Sequence, residues 1–61
     1  MNLRRANILI VDDDQDVLTA VRFLLKPEVK SIFTESNPEN IHKLISENHI
    51  DLILLDMNFK S

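Results

Sequence analysis

Asp12, Asp13, Asp14 and Asp56 are the residues of this chain whose type and spacing could do chemistry. Each set closes an apolar run: Ile8-Leu9-Ile10-Val11 leads into Asp12-Asp13-Asp14, and Ile53-Leu54-Leu55 leads into Asp56. Short runs of branched apolar residues bounded by polar ones read as strands buried on both faces. In an open α/β sheet, ligands sit beyond the carboxyl ends of such strands, where the strand order reverses. If these two strands are parallel neighbours, at least three carboxylates converge on one spot. Two unit charges about 4 Å apart repel by about 4 kcal/mol at an effective dielectric of about 20. A hard divalent cation such as Mg²⁺ removes that repulsion, because it prefers oxygen ligands.

The elements that must position these residues alternate. A first strand is expected over Ala6 to Val11. Asp14 can then cap a helix over Gln15 to Lys26, since its carboxylate can accept an amide hydrogen bond at the N-cap. Asp16 falls in the first turn, where negative charge suits the helix dipole. Val17, Leu18, Val21, Leu24 and Leu25 supply an apolar stripe at helical spacing. Pro27 is expected to stop the helix by pushing Lys26 out of the α region. A short second strand follows over Val29 to Thr34. Asn37 and Pro38 read as the N-cap and first residue of a second helix over 38–48, with Ile41, Leu44 and Ile45 as its stripe. The chain has no glycine, so Asn48 is the expected left-handed terminator. A third strand runs over Asp51 to Leu55. The order β-α-β-α-β predicts an α/β fold with a parallel sheet and right-handed crossovers.

Composition narrows the function classes. The 61 residues allow one small domain or part of one, and 44% are hydrophobic, which supports a packed core. There is no cysteine, which excludes disulfides and thiolate-bound zinc. The formal net charge is −3 and no basic run exceeds Arg4-Arg5, so this segment is not expected to contact nucleic acid directly. No apolar stretch reaches the roughly 18 residues of a membrane span, and the start is not a secretory signal. A cytoplasmic location is expected.

The two acidic strand ends resemble a known family. Ile8-Leu9-Ile10-Val11-Asp12-Asp13-Asp14 and Asp51-Leu52-Ile53-Leu54-Leu55-Asp56-Met57-Asn58, at this separation, resemble the first half of a response-regulator receiver domain of two-component signalling. The segment Asp56-Met57-Asn58-Phe59 is similar to the form found in regulators of the σ54-type transcriptional activators. The resemblance implies a flavodoxin-like, doubly wound parallel sheet with strand order 2-1-3. It implies that Asp56 is the phosphoacceptor, taking a phosphoryl group from a sensor histidine kinase. It further implies that Asp13 ligates Mg²⁺ directly, that Asp12 does so through water, and that Asp56 and the backbone carbonyl of Asn58 complete the site. Such a module modifies itself and is not otherwise an enzyme. Its expected output is control of transcription. The chemistry is sound for these residue types: a carboxylate is a competent nucleophile toward phosphorus, giving an aspartyl phosphate. Asp14 is better read as the helix cap.

Other readings are open at this stage. Asp12-Asp13-Asp14 is also similar to the Asp-x-Asp nucleophile motif of haloacid-dehalogenase-type phosphatases, with Asp12 attacking. That motif normally continues with Gly-Thr, whereas Gln15-Asp16 follows here, and Asp56 is left without a role. A third reading is an inert structural fragment whose aspartates only cap and solvate. An EF-hand fails, because Val17 and Phe23 stand where the loop needs Gly and Glu. His42 and His49 read as solvated residues, and Arg4-Arg5 as a solvated lead-in.

The family's fourth and fifth strands, phosphoryl-sensing Ser/Thr and pairing Lys have no counterpart in these residues. The expectation is an N-terminal receiver half without its output domain. The third strand would then form a sheet edge, with Leu52 to Leu55 presenting unpaired backbone and apolar side chains. A two-fold homodimer through that strand is expected.

Overall fold

A computed structural model of the chain describes residues 2–56, with Asp56 described by its backbone only. A single 3-10 turn, Leu3–Arg5, leads into β1 (Asn7–Asp12). There follow α1 (Gln15–Leu25), a 3-10 turn Lys26–Glu28, β2 (Ser31–Glu35), a 3-10 turn Pro38–Asn40, α2 (Ile41–Glu47) and β3 (Leu52–Asp56). The three strands form one parallel sheet in the order β2-β1-β3. The α/β class and the 2-1-3 order expected from the sequence are therefore those observed. The chain moves one way from β1 to β2 and the other way from β2 to β3. With crossovers of the usual right hand such a reversal puts successive helices on opposite faces, and α1 covers the face of Ile8 and Ile10.

β1 is central, and its burial follows from that position. Ile8, Leu9, Ile10 and Val11 are all buried. Alternation sends Ile8 and Ile10 to one face, where they form a core with Ala6 and Leu18 of α1. Val21, Leu25, Val29, Ile32 and Leu52 pack against that core. Among the described residues β3 has a neighbour on one side only, and Leu55 is 55% exposed. Ile53 and Leu54 are also exposed.

Several local expectations are corrected. Lys26 stays in the α region (φ −50, ψ −44) although Pro27 follows. The α-helical pattern ends because proline offers no N–H, and the chain tightens into a 3-10 turn that carries Pro27 in its first positions. That turn occupies the residues expected to begin β2, so the strand starts at Ser31 rather than Val29. Asn37 does cap: its side chain accepts from Glu39 N–H at 3.0 Å. It starts a 3-10 turn, however, and α2 proper begins at Ile41. Asn48 is not left-handed. Its backbone is extended (φ −134, ψ 150), and both its N–H and its Nδ2 donate to the Leu44 carbonyl, at 3.0 and 3.1 Å. The side-chain amide thus satisfies the helix end, so no left-handed residue is needed. Leu24 (70% exposed) and Ile45 (42% exposed) leave the expected stripes. Helical spacing says which residues share a face, while coverage depends on what stands opposite.

Candidate functional site

The site is built at the carboxyl edge of the sheet. Asp12 ends β1 and Asp56 ends β3, and the two are register partners in the parallel ladder. Adjacent strands lie about 4.8 Å apart, so the backbones at 12 and 56 are immediate neighbours. This is also the place where the strand order reverses, the position at which open α/β sheets bind ligands.

Asp12 is 5% exposed, and it is the buried charged residue among those described. Its Oδ1 accepts the Asp14 N–H at 2.9 Å, an Asx turn that swings the chain from strand to helix. Asp14 then takes over the amides of the first turn: its Oδ1 accepts from Asp16 N–H at 2.9 Å and Val17 N–H at 3.4 Å. Between these two structural carboxylates, Asp13 is exposed and stands at the sheet edge. The local rule is plain: Asp12 makes the turn, Asp14 caps the helix, and Asp13 is left for solvent or a ligand.

Two further carboxylates brace the frame. Glu35 ends β2, and its Oε2 accepts the N–H groups of Ser36 and Asn37, each at 3.0 Å. The Asn37 amide, ahead of the Asn40 side chain and the Ser36 amide, holds the Glu35 carboxyl below its usual value despite some desolvation. Asp51 lies at the opposite end of the sheet, just before β3. Its Oδ2 accepts Asn7 N–H at 2.8 Å, while its own N–H donates to the Asn7 carbonyl at 2.8 Å. His49 Nε2 meets Oδ1 at 2.9 Å. The Asn7 amide is the main cause that lowers the Asp51 carboxyl, with His49 and Lys30 adding to it. Asp51 thereby locks β3 in register with β1 and sets where Asp56 falls. The sequence reading puts Asp51 inside the strand, whereas it precedes β3 and clamps Asn7; His49 is exposed as expected and reaches Asp51 from solvent. The available signal was an aspartate immediately before an apolar run, which is also how a strand can begin.

A pocket of about 360 Å³ opens between α1 and β3, lined by Ile10, Val17, Val21, Ile53, Leu54 and Leu55, with Asp12 as the one charged residue among the described residues that line it. Polar chemistry therefore belongs at the strand ends, beyond this apolar trough. The donors fit Mg²⁺ in kind, being hard carboxylate oxygens. Asp12 has spent one of about four lone-pair sites on Asp14 N–H. Among the described residues no three His, Cys, Asp or Glu side chains come together as a metal group. The remaining expected ligands, the Asp56 side chain and the Asn58 carbonyl, lie outside the described residues.

Comparison with known protein families matches residues 8–61 to the response regulator receiver domain. No curated protein and no solved structure matches the chain.

Proposed function

This chain belongs to the response regulator receiver family, and from that premise we propose that Asp56 is its phosphoacceptor, taking the phosphoryl group from a histidine of a sensor kinase. Family membership makes the chain a phosphoacceptor signalling module of a two-component system. The observation that supports the finer reading is the register pairing of Asp12 with Asp56 at the sheet's switch point.

In this reading an Asp56 carboxylate oxygen attacks phosphorus in line with the P–N bond of the phosphohistidine. The P–O bond forms as the P–N bond breaks, and the imidazole leaves with a proton from water. Asp13, Asp56 and the Asn58 carbonyl, with Asp12 acting through water, are the groups that would hold Mg²⁺. Bound there, Mg²⁺ would supply the positive charge that offsets what the phosphoryl oxygens bring to an acidic edge. Asp12 keeps its turn-making bond to Asp14 throughout, so the protein's contribution is a preformed acidic seat on a rigid strand end. Control of transcription is the proposed consequence, through an output segment other than these residues. The proposed setting is cytoplasmic; no helix among the described residues is long and apolar enough to cross a membrane.

A phosphatase with Asp12 as nucleophile suits the geometry less well. Asp12 is 5% exposed and engaged in a turn, whereas a nucleophile must reach phosphorus. Self-association through β3 also belongs to this proposal, supported by the exposure of Ile53, Leu54 and Leu55 on a strand with one neighbour among the described residues.

The test is intact-mass spectrometry after incubation with Mg²⁺ and a small phosphodonor, on the wild type and Asp56→Asn. One added phosphoryl group, absent from the variant, is expected. Equal modification of the variant, or transfer of the loss to Asp12→Asn alone, would overturn the assignment.

A further inference from the structure

The acidic edge has a counterpart. Of the six Lys and Arg among the described residues, Arg4, Arg5, Arg22, Lys26 and Lys30 gather at the other end of the sheet. Arg4 and Arg5 lie in the 3-10 turn ahead of β1, Lys30 immediately precedes β2, and Arg22 and Lys26 stand at the carboxyl end of α1. The chain as a whole carries −3, so this concentration does not follow from composition.

Within that pole, Arg22, Lys26, Lys30 and Ser31 surround a concave pocket of about 100 Å³, floored by Val29 and Ile32. No carboxylate is among the described residues that line it. Among the described residues none of the three cations lies within ion-pair distance of an acid. Lys30 acts only as the last of the groups that lower Asp51, whose nearer partners are Asn7 N–H and His49. A cation at a helix carboxyl end is often there only for the dipole. That accounts for Arg22 and Lys26, but not for Lys30, which comes from the strand side.

The frame is fixed rather than loose. Arg22 and Lys26 are i, i+4 neighbours on one helical face, with Lys26 N–H donating to the Arg22 carbonyl. The N–H groups of Lys30 and Ser31 both donate to the carbonyl of Ala6, at 3.0 and 3.3 Å, and Ala6 is buried in the core. The volume equals roughly three waters at about 30 Å³ each, a space for one small tetrahedral group rather than for a peptide or a nucleoside. A guanidinium fork, two ammonium groups and a hydroxyl are donors matched to an oxyanion.

We infer that the Arg22–Lys26–Lys30–Ser31 pocket binds a dianionic phosphoryl group, either free phosphate or the head of a phosphorylated small molecule. It is separate from the Asp56 site. The six residues of β1 span about 20 Å, more than twice the Debye length of about 8 Å at physiological salt. Occupation at one end therefore leaves the other electrostatically undisturbed.

The test is an amide NMR titration of the 61-residue chain without Mg²⁺, using inorganic phosphate in one arm and glycerol phosphate in the other, at constant ionic strength. Saturable shifts are expected at Arg22, Lys26 and Ser31, with those of Asp12 to Asp14 unmoved. The tighter arm names the source. Arg22→Gln with Lys30→Gln should weaken binding by roughly tenfold or more, as loss of charge-assisted hydrogen bonds requires. Both side chains are exposed, so the variant should keep the wild-type spectrum elsewhere. Arg4→Gln with Arg5→Gln should bind as the wild type does. The inference is overturned by shifts that do not saturate in either arm, by an unaffected Arg22/Lys30 variant, or by an equal loss in the Arg4/Arg5 variant.

Discussion

Asp14 sits among carboxylates that are proposed to bind a cation, yet its structural work is to cap α1, and the two roles separate cleanly. Its Oδ1 accepts from Asp16 N–H at 2.9 Å and more weakly from Val17 N–H at 3.4 Å. Replacing an Asp N-cap with Ala costs about 1 kcal/mol, within about 0.5–2. One good bond and one long one place Asp14→Ala near that central value. At about 2.1 cal/mol/K per residue, unfolding a chain of this size carries about 0.13 kcal/mol/K, so about 1 kcal/mol lowers Tm by about 8 °C. Asp14→Asn keeps the acceptor and loses only the charge. It gives up a dipole interaction of about 0.3–1 kcal/mol, but it also relieves repulsion from Asp12, Asp13 and Asp16. Its Tm should stay within about 4 °C of wild type. Thermal melts followed by circular dichroism give both numbers, and Mg²⁺ titration of Asp14→Asn should match the wild type. If Asn destabilises as much as Ala, or if Asp14→Asn abolishes Mg²⁺ binding, the capping assignment is wrong.

Other outcomes follow from the same geometry. Leu18→Ala removes the α1 residue of the main core and should cost about 2–5 kcal/mol, enough to unfold a domain this small; a dispersed NMR spectrum at 25 °C would contradict this. Asp51 and Glu35 both have carboxyls held below their ordinary values of 3.8 and 4.5. Their contribution is fully present above those values and is lost as pH falls through the lower folded ones. Tm should therefore drop on acidification below about pH 4.5, and Asp51→Asn should flatten part of that slope; an unchanged slope would show that the Asn7 clamp does not matter. Sedimentation should show mass rising with concentration, and Leu54→Lys on the β3 edge should shift the chain toward monomer. A folded wild-type monomer at high concentration would exclude pairing through that strand.

The 2-1-3 strand order was implied by the family resemblance alone, but the alternation of strands and helices and the parallel sheet were legible in the residues themselves. So were the Asp14 and Asn37 caps and the placement of Asp12 and Asp13 where β1 ends. These follow from signals that act over a few residues: apolar runs, side-chain acceptors before helices, and a proline. Asp56 was legible as a strand end, but only the ladder shows that its backbone pairs with that of Asp12. Element boundaries also belonged to the tertiary structure. β1 and β3 each lie one residue later than their apolar runs suggest, because a strand extends as far as its partner offers hydrogen bonds. Asn48 and Asp51 look alike in sequence, as polar residues beside apolar ones. One closes a helix with its side-chain amide, and the other clamps Asn7 across the sheet from 44 positions away. Leu18 is buried while Leu24 is exposed, though both lie on α1, since only one faces β1. Local chemistry decided what each segment of this chain could become, and contact with a distant segment decided where it stopped and which of its side chains it covered.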